Sequence, residues 1–393
     1  MQMQGRALNI LIIGGGIAGC CAAIALGQAG HRVRIVEKQS EWRFQSSGIF
    51  VYANGLESLG KLGLLDDILA AGFAVPDGRN AYYDHRGRPI VETFYPTADG
   101  GTIPAILGIK RAEMHRVMAA RVAALGVPIS LGTTVTNLQE QTDGITAVLS
   151  DGSNEMVDLV VGADGLRSAT RAMIGIDVAP RYTGVGVWRS VHRRPPELTD
   201  KIMMMGPAKR FGIMPISDDR LYTFGTMAEP AGSYYAPADW PQLMRARFAE
   251  FEGPAAPFLA ELNAESEVLY TAVEEVALPL HWHRGRVQLI GDAAHASTPF
   301  MGQGGAMAME DAVVLAEALA AVPDLEAALT AFGQARFPVC EFVQNVSRAV
   351  GEDGARETSG DEEARHAALR ETAQAKVDGF YMRLAELRAS ARF

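Results

Sequence analysis

Residues 9–19, NILIIGGGIAG, constrain this chain more than any other stretch. An apolar run of strand length breaks into glycines, and a helical pattern over residues 20–28 follows at once. Gly14, Gly16 and Gly19 have the G-x-G-x-x-G spacing between a strand and a helix. The first glycine permits the tight turn, the second lets a pyrophosphate approach the backbone, and the third lets helix and strand pack closely. The start of the helix adds free N–H groups and the positive end of a dipole. Residues 33–37 predict a second strand. Glu37 ends it about twenty residues past the glycines, where a carboxylate can accept from a ribose hydroxyl. These residues specify a dinucleotide-binding βαβ unit. They do not separate NAD from FAD.

Composition narrows the partners. The 393 residues carry a net charge of −10, which argues against nucleic acid. There is no basic membrane patch, and no apolar run reaches bilayer-spanning length. Residues 1–8 are short and polar and the apolar run after them stops in glycines, so no secretory signal is expected. Cys20 and Cys21 lie in the first helix and form no spaced framework with Cys340, which suits a reducing cytoplasm. The expected state is a cytoplasmic monomer or homodimer with a small-molecule substrate.

The pattern predicts helices over residues 54–70 and 111–125. In the second, Met114, Val117, Met118, Val122 and Leu125 form an i, i+3, i+4 stripe that Gly126 stops. Residues 79–96 are aromatic-rich and β-like. Residues 135–140, 145–149 and 155–161 predict an antiparallel meander with Asp151-Gly152 as a hairpin turn. Strand-like pieces at 184–192, 201–205, 211–216, 221–227 and 267–276 are spaced by turn residues, as in an antiparallel sheet. Helical segments fall at 240–252 and 257–263. A buried strand at 287–290 precedes an Ala-rich helix at 304–321, and the chain is helical from 325, interrupted at 351–360. The expected class is α/β: a Rossmann-like domain with an inserted antiparallel sheet and C-terminal helices. Residues 5–76, 102–181 and 280–335 are the three parts of the nucleotide domain. Residues 77–101 and 182–279 form the substrate sheet, and 336–393 the C-terminal helices.

Two further motifs name the cofactor. One is Gly162-Ala163-Asp164-Gly165-Leu166-Arg167-Ser168. The other is Gly291-Asp292-Ala293-Ala294-His295, followed by Pro299 and by Gly302-Gln303-Gly304-Gly305. With the first glycine motif, in order and spacing over most of the chain, they resemble the class A flavoprotein monooxygenases, the para-hydroxybenzoate hydroxylase-like family. The wording is most similar to single-component hydroxylases of small aromatic and heteroaromatic acids or urate. The resemblance implies FAD, bound in a fold of the GR2 type. By it, Asp292 holds the ribityl chain and Asp164 serves both FAD and the reduced nicotinamide. Pro299 lies before the reacting flavin carbon, Arg111 and Arg43 contact FAD, and the backbone of Val135 meets the adenine. Ile17, Ala18, Lys38 and Gly48 complete the FAD set. The residues agree with this. Asp292 ends a buried strand, where open α/β sheets place ligands. Gly302, Gln303, Gly304 and Gly305 open a helix, whose N-terminus stabilises a nearby anion by about 0.3–2 kcal/mol.

There is no second G-x-G-x-x-G after a strand, and adjacent Cys20 and Cys21 in a packed helix cannot act as a redox pair. NAD(P)H is therefore expected as a transient co-substrate. The resemblance implies a flavin C4a-hydroperoxide that hydroxylates an electron-rich ring, while the protein excludes water and aims the substrate. The expected substrate residues are Phe50, Trp188, Arg189, Phe211, Ile213, Tyr222, Phe224, Pro299 and Phe300, with Pro299 and Tyr222 nearest the chemistry. Arg189, His192 and Arg210 are candidate carboxylate partners. Phe50 lies where some hydroxypyridine hydroxylases carry a histidine, which argues against a histidine base. His281 and His283 lack a third ligand, and no metal is expected. Two other readings compete. An epoxidase or natural-product tailoring oxidase would go with an apolar pocket lacking a buried polar anchor. A non-catalytic flavin sensor would bind FAD without ring-stimulated turnover.

Overall fold

The computed structural model describes residues 7–42, 47–356, 359–391 and 393. Asn9–Ile13, Ile17–Gln28 and Arg32–Glu37 form the βαβ unit, with Ile12 in register with Ile35 on one side and Val161 on the other. The sheet has six strands in the order His283–Arg284, Val287–Leu289, Leu159–Gly162, Asn9–Ile13, Arg32–Glu37, Ile129–Leu131. All pairings are parallel except the His283–Arg284 edge. Central parallel strands are covered on both faces and so carry continuous apolar runs, as residues 10–13 and 159–161 do. The Ile17–Gln28 helix packs on Gly304–Ala321 and on Arg111–Ala124.

Two predicted elements are divided. Residues 54–70 form two helices, Ala53–Lys61 and Leu65–Ala71, because Gly63 turns at φ 68° between them. Residues 155–161 form two strands. Asn154–Val157 closes the meander with Gly144–Leu149 and Val135–Gln141, and Leu159–Gly162 enters the parallel sheet. Between them the Asp158 carboxylate accepts from the Asn9 amide at 2.8 Å and ties the break to the first strand.

The inserted sheet has seven strands: Val268–Glu275, Arg181–Arg193, Arg220–Ala228, Lys209–Pro215, Lys201–Gly206, Arg79–Asp84 and Pro89–Phe94. It is antiparallel except where Lys201–Gly206 meets Arg79–Asp84. One face carries a core of Trp188, Met204, Phe211, Ile213 and Leu221 packed against Phe248, Phe251, Phe258 and Leu259. The other face looks toward a small sheet of Gly48–Tyr52, Ile106–Lys110 and Phe73–Ala74, and toward the helices Leu325–Arg356 and Glu362–Ser390. The Leu325–Arg356 helix runs unbroken across the boundary placed at 335/336. Among the described residues no helix is long and apolar enough to cross a membrane.

Candidate active site

The glycine loop is shaped by what its positions exclude. Gly14 sits at φ 104°, and a Cβ there would lie 2.5 Å from the Ala163 carbonyl oxygen. A Cβ on Gly19 would lie 1.9 Å from the Gly14 oxygen, so strand and helix meet only through glycine. Gly16 faces open space, with nothing within 4 Å of its Cβ position. It caps the Ile17–Gln28 helix without a side-chain hydrogen bond, which leaves the first amides to a ligand. A groove of about 210 Å³ opens there, lined by Gly14, Gly16, Glu37, Lys38, Thr134, Ala163, Asp164 and Gly165. Glu37 accepts from the amides of Gly15 and Gln39, each at 2.8 Å. Asp164 accepts from Ser168 Oγ at 2.5 Å and from the Thr170 amide and hydroxyl at 2.9 Å, and so also holds the Ala169–Met173 helix. Buried Val135 starts its strand, and Arg111 is exposed at the first turn of its helix. His115, one turn on, donates to the Gly15 carbonyl at 2.7 Å and meets Trp42 edge-on. Thr134 lines the groove, and His115 and Trp42 pack behind its glycine loop at Gly15; none of the three is expected from the sequence, where only the i+4 spacing from Arg111 to His115 hints at one of them. Arg43 lies outside the described residues.

Beside the groove, the helices Ile17–Gln28 and Gly304–Ala321 pack against each other. Gly291 turns at φ 58° with its Cβ position 2.9 Å from Ala18, and Asp292 projects exposed at the start of a short helix. A buried ion cluster fixes this turn. Asp311 accepts from the Gly291 amide at 2.8 Å, from His295 Nε2 at 2.6 Å and from Arg336 Nε at 2.8 Å. Burial opposes the charge, but His295 and Arg336 hold the Asp311 carboxyl well below its usual range. Gly302 follows at φ 64°, against Tyr52 and Phe50. Gln303 is buried, accepting from Asn54 at 2.8 Å and donating to the Tyr381 hydroxyl at 3.4 Å, so its side chain anchors the loop. Gly304 and Gly305 begin a helix with no side-chain cap. Two uncapped helix starts, a Cβ-free turn beside open space and carboxylates at intervals fit a long phosphate-bearing cofactor.

Beyond Gly302 lies a cavity of about 760 Å³ between the seven-stranded sheet and the C-terminal helices. The ladder shows which side chains reach it. Phe224 lies opposite Arg189 and Gly212, and Tyr222 opposite Val191 and Met214, so these residues share one face. Phe50, Arg189, Tyr222, Phe224, Pro299 and Phe300 all line the cavity. Phe50 lies 5.5 Å from the Tyr222 ring and 5.4 Å from Phe224. Gly48 is required by the same packing, since a Cβ there would meet the Tyr222 ring at 2.1 Å. Tyr222 is 5% exposed, and burial raises its phenol well above the ordinary value. Burial lowers the Arg189 guanidinium, which Tyr222 opposes, and Arg189 donates to Thr271. Arg210 also reaches the cavity, donating to the Gly206 and Lys209 carbonyls.

Trp188, Phe211, Ile213 and His192 do not reach it. They alternate onto the opposite face. Trp188 packs on Tyr270 at 4.6 Å and donates to Glu229 at 3.2 Å, and Phe211 packs on Phe248 at 5.8 Å. His192 is buried there between Ser190 and Glu261. Both faces of this sheet are apolar and covered, so alternation alone could not tell core from cavity.

The cavity also holds an unforeseen polar cluster. Lys201 is 5% exposed and lines the cavity, and its Nζ donates to the hydroxyls of Tyr52 at 3.1 Å and Tyr95 at 2.8 Å. Burial lowers its ammonium to about 8 and raises Tyr95 and Tyr82 to about 12. Nothing near Lys201 in the sequence signalled this, because its partners come from segments more than a hundred residues away.

The match of this architecture to known proteins is extensive. A model of the FAD binding domain matches residues 7–345. The chain is 33% identical over 335 residues to aurachin C monooxygenase/isomerase of Stigmatella aurantiaca, covering 84% of this chain and 85% of that protein. It is 34% identical over 355 residues to a 2-heptyl-3-hydroxy-4(1H)-quinolone synthase of Pseudomonas aeruginosa, covering 88% and 90%. The crystal structure of Klebsiella pneumoniae HpxO complexed with FAD and uric acid superposes with a TM-score of 0.86 at 28% identity, over 98% of each chain. With most of its length matched and its glycine turns shaped for the cofactor, this chain belongs to the FAD binding domain family, among the class A FAD-dependent aromatic hydroxylase-like monooxygenases.

Proposed function

We propose that this protein uses FAD, NAD(P)H and O2 to insert one oxygen atom into a heteroaromatic ring held in the cavity. The observation that carries the reading is the aromatic wall of Phe50, Tyr222 and Phe224 opening on the same space as Pro299 and Phe300, one turn from Gly302. Relatives named for urate, for an alkylquinolone and for aurachin act on heteroaromatic rings, which supports the substrate class.

Bound FAD would supply hydride acceptance and oxygen activation, chemistry that belongs to the cofactor. The amides and turns at Gly14, Gly16, Ile17, Ala18 and Gly19 would take the pyrophosphate, with Glu37, Lys38 and Val135 at the adenosine end. Arg111, Asp164 and Asp292 would hold the middle of the cofactor. The uncapped helix start at Gly302, Gln303, Gly304 and Gly305 would face its ring edge. Phe50, Phe224 and Phe300 exclude water and orient the substrate ring. Tyr222 keeps its proton at neutral pH, so it serves as a hydrogen-bond donor and not as a base. Pro299 shapes the loop beside the reacting centre. A cytoplasmic monomer or homodimer is part of the same proposal.

The test incubates FAD-loaded protein with NAD(P)H, ¹⁸O₂ and a panel of hydroxylated pyridines, quinolines and purines. One labelled oxygen in product, with ring-stimulated NAD(P)H consumption, is expected. If every ring yields only hydrogen peroxide, the hydroxylase reading fails. A second reading, tailoring of a bulkier natural product, is favoured by the cavity volume of about 760 Å³, which suits a drug-sized ligand. Product masses from alkyl-substituted rings distinguish the two.

A further inference from the structure

Among the described residues, the buried Lys201 ammonium in the cavity has no acidic partner. Lys201 Nζ donates to two neutral hydroxyls, those of Tyr52 and Tyr95. An ammonium has three donors, and among the described residues the third meets no acceptor and no carboxylate is within ion-pair distance. Aromatic faces surround it: Nζ is 4.8 Å from the Tyr95 ring centre, 5.1 Å from Phe50 and 5.6 Å from Tyr52. These are favourable to a cation but weaker than a paired anion. Buried charges in proteins are ordinarily paired, since an unpaired one is costly.

The strands beside Lys201 place further polar groups on the same face. Asn80 is directly opposite Lys201 in the ladder, and Thr93 directly opposite Asn80, so all three share the cavity-side face with Tyr82. Asn80 and Thr93 are both fully buried, and both side chains are directed at the Tyr82 hydroxyl. Lys201 also sits near the Gly302 turn, because Phe50 and Tyr52, whose rings it faces, flank Gly302.

We propose that Lys201, cradled by Tyr52 and Tyr95, is the specificity-determining anchor for an anionic oxygen on the substrate ring, the deprotonated hydroxyl of an acidic hydroxyheteroarene. The substrate supplies the negative charge that the fold withholds. An oxygen held as its anion keeps the ring electron-rich, which is what electrophilic oxygen insertion requires. Neutral rings of the same shape fill the apolar cavity but leave the ammonium unpaired. This inference rests on the cavity being the substrate site.

The test measures calorimetric binding to FAD-loaded protein of two probes: 4-hydroxycoumarin, an enolate at neutral pH, and 4-methoxycoumarin, its neutral counterpart. Wild type is expected to prefer the anion by at least about 30-fold, the range of a charge-assisted contact. Lys201→Met should abolish that preference while leaving 4-methoxycoumarin affinity within about twofold, and Lys201→Arg should restore part of it. FAD content and melting temperature report on folding, and Lys201→Gln replaces the methionine variant if that one loses flavin. Wild type gives an independent arm. Its anion preference should decline as pH rises past about 8, where Lys201 loses its proton while Tyr52, Tyr82, Tyr95 and Tyr381, all raised by burial, stay neutral. Equal wild-type affinity for the two probes, or a preference that survives in Lys201→Met, overturns the anchor. Hydroxylation of a ring by a protein without Lys201-dependent preference would sink the anchor and keep the oxygenase. Lys201-dependent preference with no hydroxylation of any ring would do the reverse.

Discussion

The nucleotide groove is built of backbone, whereas the cavity is built of side chains from distant segments. In the groove, Gly14 and Gly19 leave no room for a Cβ and Gly16 opens on free space, so local sequence spacing carries nearly all the geometry. In the cavity, Phe50, Lys201, Tyr222 and Phe300 come from four separate stretches, and their relation exists only after the sheet and helices have packed. A site made of backbone is read from a motif. A site made of side chains depends on which face of a strand turns inward.

The largest expected effect breaks the equivalence of the two sheet faces. Phe211→Ala removes a fully buried ring from the far-face core and should cost about 3–5 kcal/mol in denaturant unfolding. Affinity for ring ligands should change little. Phe224→Ala, on the cavity face, should cost less stability and raise KM for the ring. Equal KM effects from both would refute the assignment of faces.

Gly16→Ala tests the backbone character of the groove. Gly16 has φ −72°, which alanine adopts, and its Cβ would touch nothing within 4 Å. Unfolding free energy should stay within about 0.5 kcal/mol. FAD retention should fall by about 30-fold or more, because the new methyl occupies the approach to the helix start. An alanine variant that keeps its yellow colour through gel filtration would mean that phosphates do not sit there.

The smallest effect concerns Lys201. Burial depresses its folded pKa to about 8 from an ordinary 10.5. Below pH 8 both folded and unfolded chains are protonated, and the fold bears the full cost of the buried charge. Between about 8 and 10.5 the unfolded chain binds more protons, so wild-type stability should rise with pH. Lys201→Met should therefore stabilise the protein at pH 7 by roughly 1–2 kcal/mol, and that advantage should vanish by about pH 10.5. Thermal melts of both proteins across this range check the sign. Destabilisation at pH 7 would mean that Lys201 is a structural strut.

Much of the fold was legible because its signals are local. The βαβ unit, the helix starting at Arg111 and the helix Gly304–Ala321 appear with nearly the expected limits. The failures have a common cause. Glycine at φ 68° in position 63 and the Asp158 contact with Asn9 end elements whose apolar pattern continues through them. Trp188, Phe211 and Ile213 were misplaced because the sheet is buried on both faces, and period-two alternation does not say which face a cavity occupies.

The order of glycines, aspartates and apolar runs determined by itself that this chain grips a dinucleotide, since turn and helix-start geometry depend on neighbours a few residues apart. Only the tertiary structure decided which side chains line the cavity. Lys201 meets Tyr52 and Tyr95 across 149 and 106 residues of chain, and burial, not identity, sets it apart from an ordinary surface lysine.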